Sequence, residues 1–135
     1  MKITETIFQD GTHKWVAIVR DPDKPNFLVD TNEYLVTHGG QGMLLDPGGA
    51  EIFPAVFSAL SSEFDPSALA AVFASHQDPD ICSSLALWLE FNPKMRCYVS
   101  WLWNSFIPHF GGTAETFISI PDEGLDINLA GLTLR

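Results

Sequence analysis

A layered α/β (α+β) domain is the fold class that this sequence predicts, and three observations carry it. The segments run several β, then α, β, α, β, α, β, β. Leu69-Ala70-Ala71-Val72-Phe73-Ala74 has no polar member, the pattern of a strand covered on both faces. Of the 135 residues 46% are hydrophobic, enough for one core and too short a chain for two ordinary domains. Residues 1–135 are therefore read as a single domain.

Residues 3–8 alternate weakly and suit an edge strand, and Asp10-Gly11-Thr12 is a turn. Trp15-Val16-Ala17-Ile18-Val19 is β-branched, aromatic and short, hence a strand. Asp21–Asn26 holds two prolines and three Asp/Asn residues, which leaves a loop. Tyr34–Thr37 and Met43–Asp46 flank His38-Gly39-Gly40-Gln41-Gly42, whose glycines supply positive φ for a β-hairpin. Ile52, Val56, Phe57, Leu60 and Phe64 recur at helical spacing, with Pro54 in the first turn, where a missing N–H is harmless. After the 69–74 strand, Ile81, Leu85, Trp88 and Leu89 predict a second helix, which stops at Asn92-Pro93. Arg96–Val99 is a strand and Trp101–Phe110 a short aromatic helix. Thr116–Ile120 is a strand, and Asp126–Leu129 with Leu132–Leu134 makes a last hairpin around Ala130-Gly131. The chain ends in this strand pattern, as expected of a domain incomplete at its C-terminus.

The net charge of −10 argues against nucleic acid and against an anionic membrane surface, both of which need Lys and Arg. No stretch approaches the roughly 18 consecutive apolar residues of a spanning helix. The N-terminus has no apolar signal region, so the expected location is the cytoplasm. Cys82 and Cys97, without zinc-finger or C-x-x-C spacing, are read as reduced and buried.

The chemistry concentrates in Ala74-Ser75-His76-Gln77-Asp78-Pro79-Asp80-Ile81, where the apolar strand ends and a helix begins. Imidazole with carboxylates is a ligand set for iron, manganese or zinc. At the carboxyl end of a strand His76 and Asp78 point the same way and suit one ion, while Asp80, already turning into the helix, is displaced toward a second. The same residues have a structural reading. Asp78-Pro79 is what an N-cap followed by a first-turn proline looks like, Asp80 suits the helix dipole, and His76 suits a hydrogen-bonded loop.

Phe73–Asp80 resembles the first metal motif of the metallo-β-lactamase superfamily, and Met43-Leu44-Leu45-Asp46-Pro47-Gly48-Gly49 is similar to its strand and turn L-I-D-T-G. In that superfamily's hydrolases the motif runs H-x-H-x-D-H. Here a carboxylate, Asp78, stands second and Ile81 last, which resembles the diiron branch: flavodiiron proteins and stand-alone oxygen-binding diiron proteins, with H-x-E/D-x-D. The resemblance implies that His76 and Asp78 bind a first iron and Asp80 a second, with zinc as the alternative. It implies the N-terminal half of an αββα sandwich, a mixed sheet with helices on one face. The family's site also takes a histidine, a bridging aspartate and a final histidine from a second half. His13, His38 and His109 do not match those motifs.

Three function classes follow. The first is a nonhaem diiron protein that binds or reduces dioxygen or nitric oxide, with electrons from a separate flavin or rubredoxin donor. It would be oxidoreductase-like once completed and inactive as this chain alone. The second is a metal-dependent hydrolase of the same fold, and the third a non-catalytic fragment whose metal site is weak or empty. A half sandwich leaves a sheet face exposed, so a homodimer or swapped assembly is expected. Trp101, Trp103, Phe106 and Phe110 read as core or interface. His109 reads as a structural histidine or a pocket-lining proton donor. Cys82 is either a buried inert thiol or one activated near a helix N-terminus.

Overall fold

The structure, a computed structural model, describes residues 1–104 and 117–135. Seven strands form one sheet in chain order: β1 (Ile3–Gln9), β2 (Lys14–Val19), β3 (Glu33–His38), β4 (Gln41–Leu45), β5 (Leu69–Ala74), β6 (Arg96–Ser100) and β7 (Phe117–Ile120). From β1 to β4 the pairing is antiparallel, with short turns joining β1 to β2 and β3 to β4 and the longer segment 20–32 joining β2 to β3. From β4 to β7 it is parallel. The mixed sheet with helices expected from the sequence is present, and β8 (Ile127–Leu129) pairs with β9 (Leu132–Leu134) as a separate hairpin.

Period-two alternation decides which residues face which layer. Val16, Ile18, Leu35, Leu44, Val72 and Val99 point to the helical side. There they meet α1 (Phe53–Ser61) and α3 (Leu85–Phe91) through Val56, Leu60, Leu85 and Trp88. Their neighbours Val36, Met43, Ala71 and Tyr98 point the other way, against Ile127 and Leu129 of the hairpin. The hairpin covers only part of that face. A cavity of about 340 Å3 between Trp15, Leu45, Phe73 and Leu125 remains beside it.

The β3–β4 turn is made by Gly39 and Gly40, both at positive φ (56° and 78°), as a tight two-residue hairpin requires. The helix expected over Ile52–Phe64 is a 3-10 turn, Ala50–Ile52, followed by α1. The helix expected from Ile81 to Leu89 is broken into α2 (Pro79–Cys82) and α3. The break has a local cause. Ser83 Oγ accepts from the Ala50 N–H (2.8 Å) and Ser84 Oγ donates to the Pro47 carbonyl (3.1 Å), so both serines are tied to the turn after β4.

Of the expected Trp101–Phe110 helix, the described part is a turn, Trp101–Asn104. Trp101 is 52% exposed rather than core, its indole N–H donating to Asp122 (2.6 Å). Phe106, His109, Phe110 and Thr116 lie outside the described residues. Among the described residues, no helix is long and apolar enough to cross a membrane.

Lys2 Nζ lies 2.6 Å from Asp30 Oδ1 and 3.1 Å from Glu33 Oε2, with all three side chains at most 2% exposed. This buried ion cluster sits under the turn that follows β4, where Glu33 Oε1 borders Gly48.

Candidate metal centre

The parallel strands β4, β5 and β6 end on one edge of the sheet, where α/β architecture leaves room for ligands. Asp46 leaves β4 there at φ 55°, an unusual conformation for a residue with a side chain. Its backbone N–H donates to the Phe73 carbonyl at 2.7 Å, and its carboxylate reaches across to the end of β5. Oδ1 accepts from the Ser75 N–H (2.7 Å) and Oδ2 from the Ser75 hydroxyl (2.8 Å). Ser75 Oγ in turn lies 2.9 Å from Nδ1 of His76. One ring nitrogen of His76 is therefore engaged by protein, and the other, Nε2, has no partner among the described residues. The side chain is exposed.

Asp78 occupies the N-cap position of α2 but its side chain makes no capping hydrogen bond. The structural reading of Asp78 as a helix cap thus loses its main support, and the carboxylate is left exposed and available. Asp80 is in the first turn, half-buried, on a cleft of about 550 Å3 shared with Gly49, Glu51 and Ser83. Cys82 follows. Burial first, then the charges of Asp78, Asp46 and Asp80, push its thiol up to about 12, and Cys97 is pushed equally high by burial. Cys82 is thus the inert thiol of the two sequence readings. The three carboxylates that act on it make this corner a concentrated negative field, suited to a cation.

Among the described residues, no three His, Cys, Asp or Glu side chains stand close enough together to hold one metal ion. His76, Asp78 and Asp80 share the corner without meeting at a point. By type they fit iron: an imidazole nitrogen without a partner among the described residues and two carboxylates, of which Asp78 makes no helix-cap bond.

The other described histidines cannot complete it. The ring of His38 hydrogen-bonds the Thr12 carbonyl, and His13 packs on Phe8 beside Asp10. Both sit at the opposite edge of the sheet, since His38 pairs with Gln41 at the far end of the hairpin from Leu45. Asp46 and Ser75 were not among the sequence candidates. Their signal was present: an aspartate before Pro-Gly-Gly closing one strand, and a serine beside a histidine closing the next parallel one.

The family model of the ODP family beta lactamase matches residues 29–135. Among solved structures, the chain is similar to the "peroxy diiron species of chemotaxis sensor ODP", at 34% identity and TM-score 0.78, over 95% of this chain and 49% of that one. It is similar to the apo state of the chemotaxis sensor ODP from T. denticola, at 33% identity and TM-score 0.76, over 96% of this chain and 50% of that one. A flavoprotein from Thermotoga maritima shares the fold at 22% identity and TM-score 0.79, over 98% of this chain and 35% of that one. The chain spans about half the length of the sensor chains. No curated protein sequence matches it.

Proposed function

The chain belongs to the ODP family of β-lactamase-fold proteins, and on that premise we propose that it supplies one side of a nonhaem diiron centre that binds dioxygen or nitric oxide. In this reading residues 1–135 are the first half of a metallo-β-lactamase-like domain. His76 Nε2 and Asp78 hold the first iron and Asp80 the second. The remaining donors lie outside the described residues. Bound iron supplies the redox-active, ligand-binding centre. The chain's own residues hold it: carboxylates as hard oxygen donors, His76 as the single imidazole. Carboxylate in place of a second imidazole favours iron over zinc. The similar structures named as a chemotaxis sensor, one of them as its peroxy diiron species, support a sensing role, and dioxygen is the signal this reading assigns. A scavenger fed by a separate flavin or rubredoxin donor uses the same site.

The observation that carries the reading is Asp78, placed at a helix start with its carboxylate unused by the helix, next to a histidine with a free ring nitrogen. The test is anaerobic addition of Fe(II) to the purified chain, with metal analysis and absorption spectra before and after dioxygen or nitric oxide. Fe(II) association that is lost in His76→Ala is expected, with spectra that respond to the gases only once the remaining donors are supplied. Zinc retention with hydrolytic turnover would establish the hydrolase reading instead. Metal content independent of His76 would leave a non-catalytic fold.

A further inference from the structure

The hydrogen bonds around Ser75 have a direction that geometry and valence settle together. Ser75 has one hydroxyl proton. Asp46, as a carboxylate, only accepts, and its Oδ2 lies 2.8 Å from Ser75 Oγ, so that proton is directed to Asp46. The 2.9 Å contact between Ser75 Oγ and His76 Nδ1 is then a hydrogen bond only if Nδ1 carries the ring proton and donates it. We infer that Asp46 and Ser75 form a relay that sets the tautomer of His76, with the proton on Nδ1 and the lone pair on Nε2, which makes both positioning residues for metal ligation. The role toward a metal rests on the proposed iron reading; the tautomer does not.

The supports of the relay are backbone-fixed. The Ser75 N–H donates to Asp46 Oδ1 at 2.7 Å, so the carboxylate is held by both its oxygens. Asp46 is itself clamped to β5 through Phe73. The turn behind it is tied to the helix that carries Asp80, since the Gly48 N–H donates to the Ile81 carbonyl (2.8 Å) and the Ser84 N–H to the Gly48 carbonyl (3.1 Å). Ligand-bearing helix, turn and relay form one unit. Hydrogen bonding of the remote ring nitrogen is how a protein orients a histidine for metal and sets which nitrogen is free.

The relay can be inverted by changing one atom. In Asp46→Asn, the Ser75 N–H still requires an acceptor, which places the amide oxygen there and turns the amide NH2 toward Ser75 Oγ. The NH2 donates to Ser75, the Ser75 hydroxyl proton is released toward His76, and Nδ1 becomes the acceptor. The ring proton moves to Nε2, the nitrogen needed for metal.

The experiment is 15N NMR of the His76 ring in the metal-free chain, above the ordinary imidazole titration range. Native protein is expected to show a protonated Nδ1 and a lone-pair Nε2, and Asp46→Asn the reverse. Ser75→Ala is expected to lose the single tautomer and Ser75→Thr, which keeps the hydroxyl, to retain it. That pair, with the native spectrum, decides the matter even if Asp46→Asn does not fold. Fe(II) affinity is expected to fall by about 10- to 100-fold in Asp46→Asn, the usual effect of losing such a supporting bond. A native His76 protonated on Nε2, or a mixture indifferent to Ser75→Ala, overturns the relay. If the tautomers are as stated but Fe(II) affinity is unchanged by His76→Ala, the relay stands and the iron reading falls.

Discussion

Replacing Lys2 by methionine removes one charge from a cluster that has almost no solvent. Lys2 donates to Asp30 Oδ1 (2.6 Å) and to the Thr31 carbonyl (2.8 Å), and it is the only cation facing the buried carboxylates of Asp30 and Glu33 among the described residues. Methionine keeps the length and apolar volume but leaves Asp30 with backbone donors alone. Breaking a buried pair from one side costs about 3–5 kcal/mol. For a domain of this size each kcal/mol moves Tm by about 3–5 °C, so Lys2→Met is expected to lower Tm by roughly 10–20 °C.

Glu33 gives the cluster a pH signature. Burial pushes its carboxyl up from 4.5 to about 7, against the downward pull of Thr31 and Lys2. The folded state therefore binds this proton more tightly than the unfolded chain. The stability from protonated Glu33 is complete below about pH 4.5 and is lost as pH rises through about 7, a change of about 3 kcal/mol. Glu33→Gln should flatten that slope. Thermal and urea melts of the three proteins between pH 5 and 8 read both effects. A loss under about 1 kcal/mol for Lys2→Met, or an unchanged slope in Glu33→Gln, would refute the reasoning.

Three further outcomes are expected. Gly48 lies at φ 86°, and a Cβ there would sit 2.8 Å from Ile52 Cδ1 and 3.0 Å from Glu33 Oε1. Gly48→Ala should cost about 2–3 kcal/mol in urea melts from strain and clash together. Asp78→Ala should change stability by less than about 0.5 kcal/mol, where loss of a working N-cap costs about 1, while weakening Fe(II) binding in calorimetry. Cys82 and Cys97, both buried and with thiols pushed up to about 12, should react with a thiol reagent on the order of a thousandfold slower in the native chain than in urea.

The strands were legible because their cause is local. Alternation places Leu35 and Val36 on opposite faces, and the apolar run 69–74 could only be covered on both sides. The Gly39-Gly40 turn was legible for the same reason, since positive φ is a property of the residue. What sequence periodicity could not show was tertiary competition. Ile81, Leu85, Trp88 and Leu89 keep helical spacing, yet Ser83 and Ser84 are held by the distant 47–50 turn and break the helix between them. The Lys2–Asp30–Glu33 cluster was hidden because each residue is ordinary alone and only sheet pairing brings the N-terminal strand over them. His76, Asp78 and Asp80 were visible as a motif, whereas the competing capping role of Asp78 could be weighed only once its carboxylate was seen to make no cap bond. Asp46 and Ser75 depend on β4 and β5 ending side by side, which the chain order does not state.

In the proposed function the corner at the end of β5 is where this chain contributes ligands to iron. Anaerobic titration of Fe(II) into 15N-labelled chain, with amide resonances followed residue by residue, tests it most directly. Paramagnetic broadening should appear first at residues 75–81 and vanish in His76→Ala. Broadening centred on the Asp10–His13 turn, or spread over the acidic surface and unchanged by His76→Ala, would contradict the account.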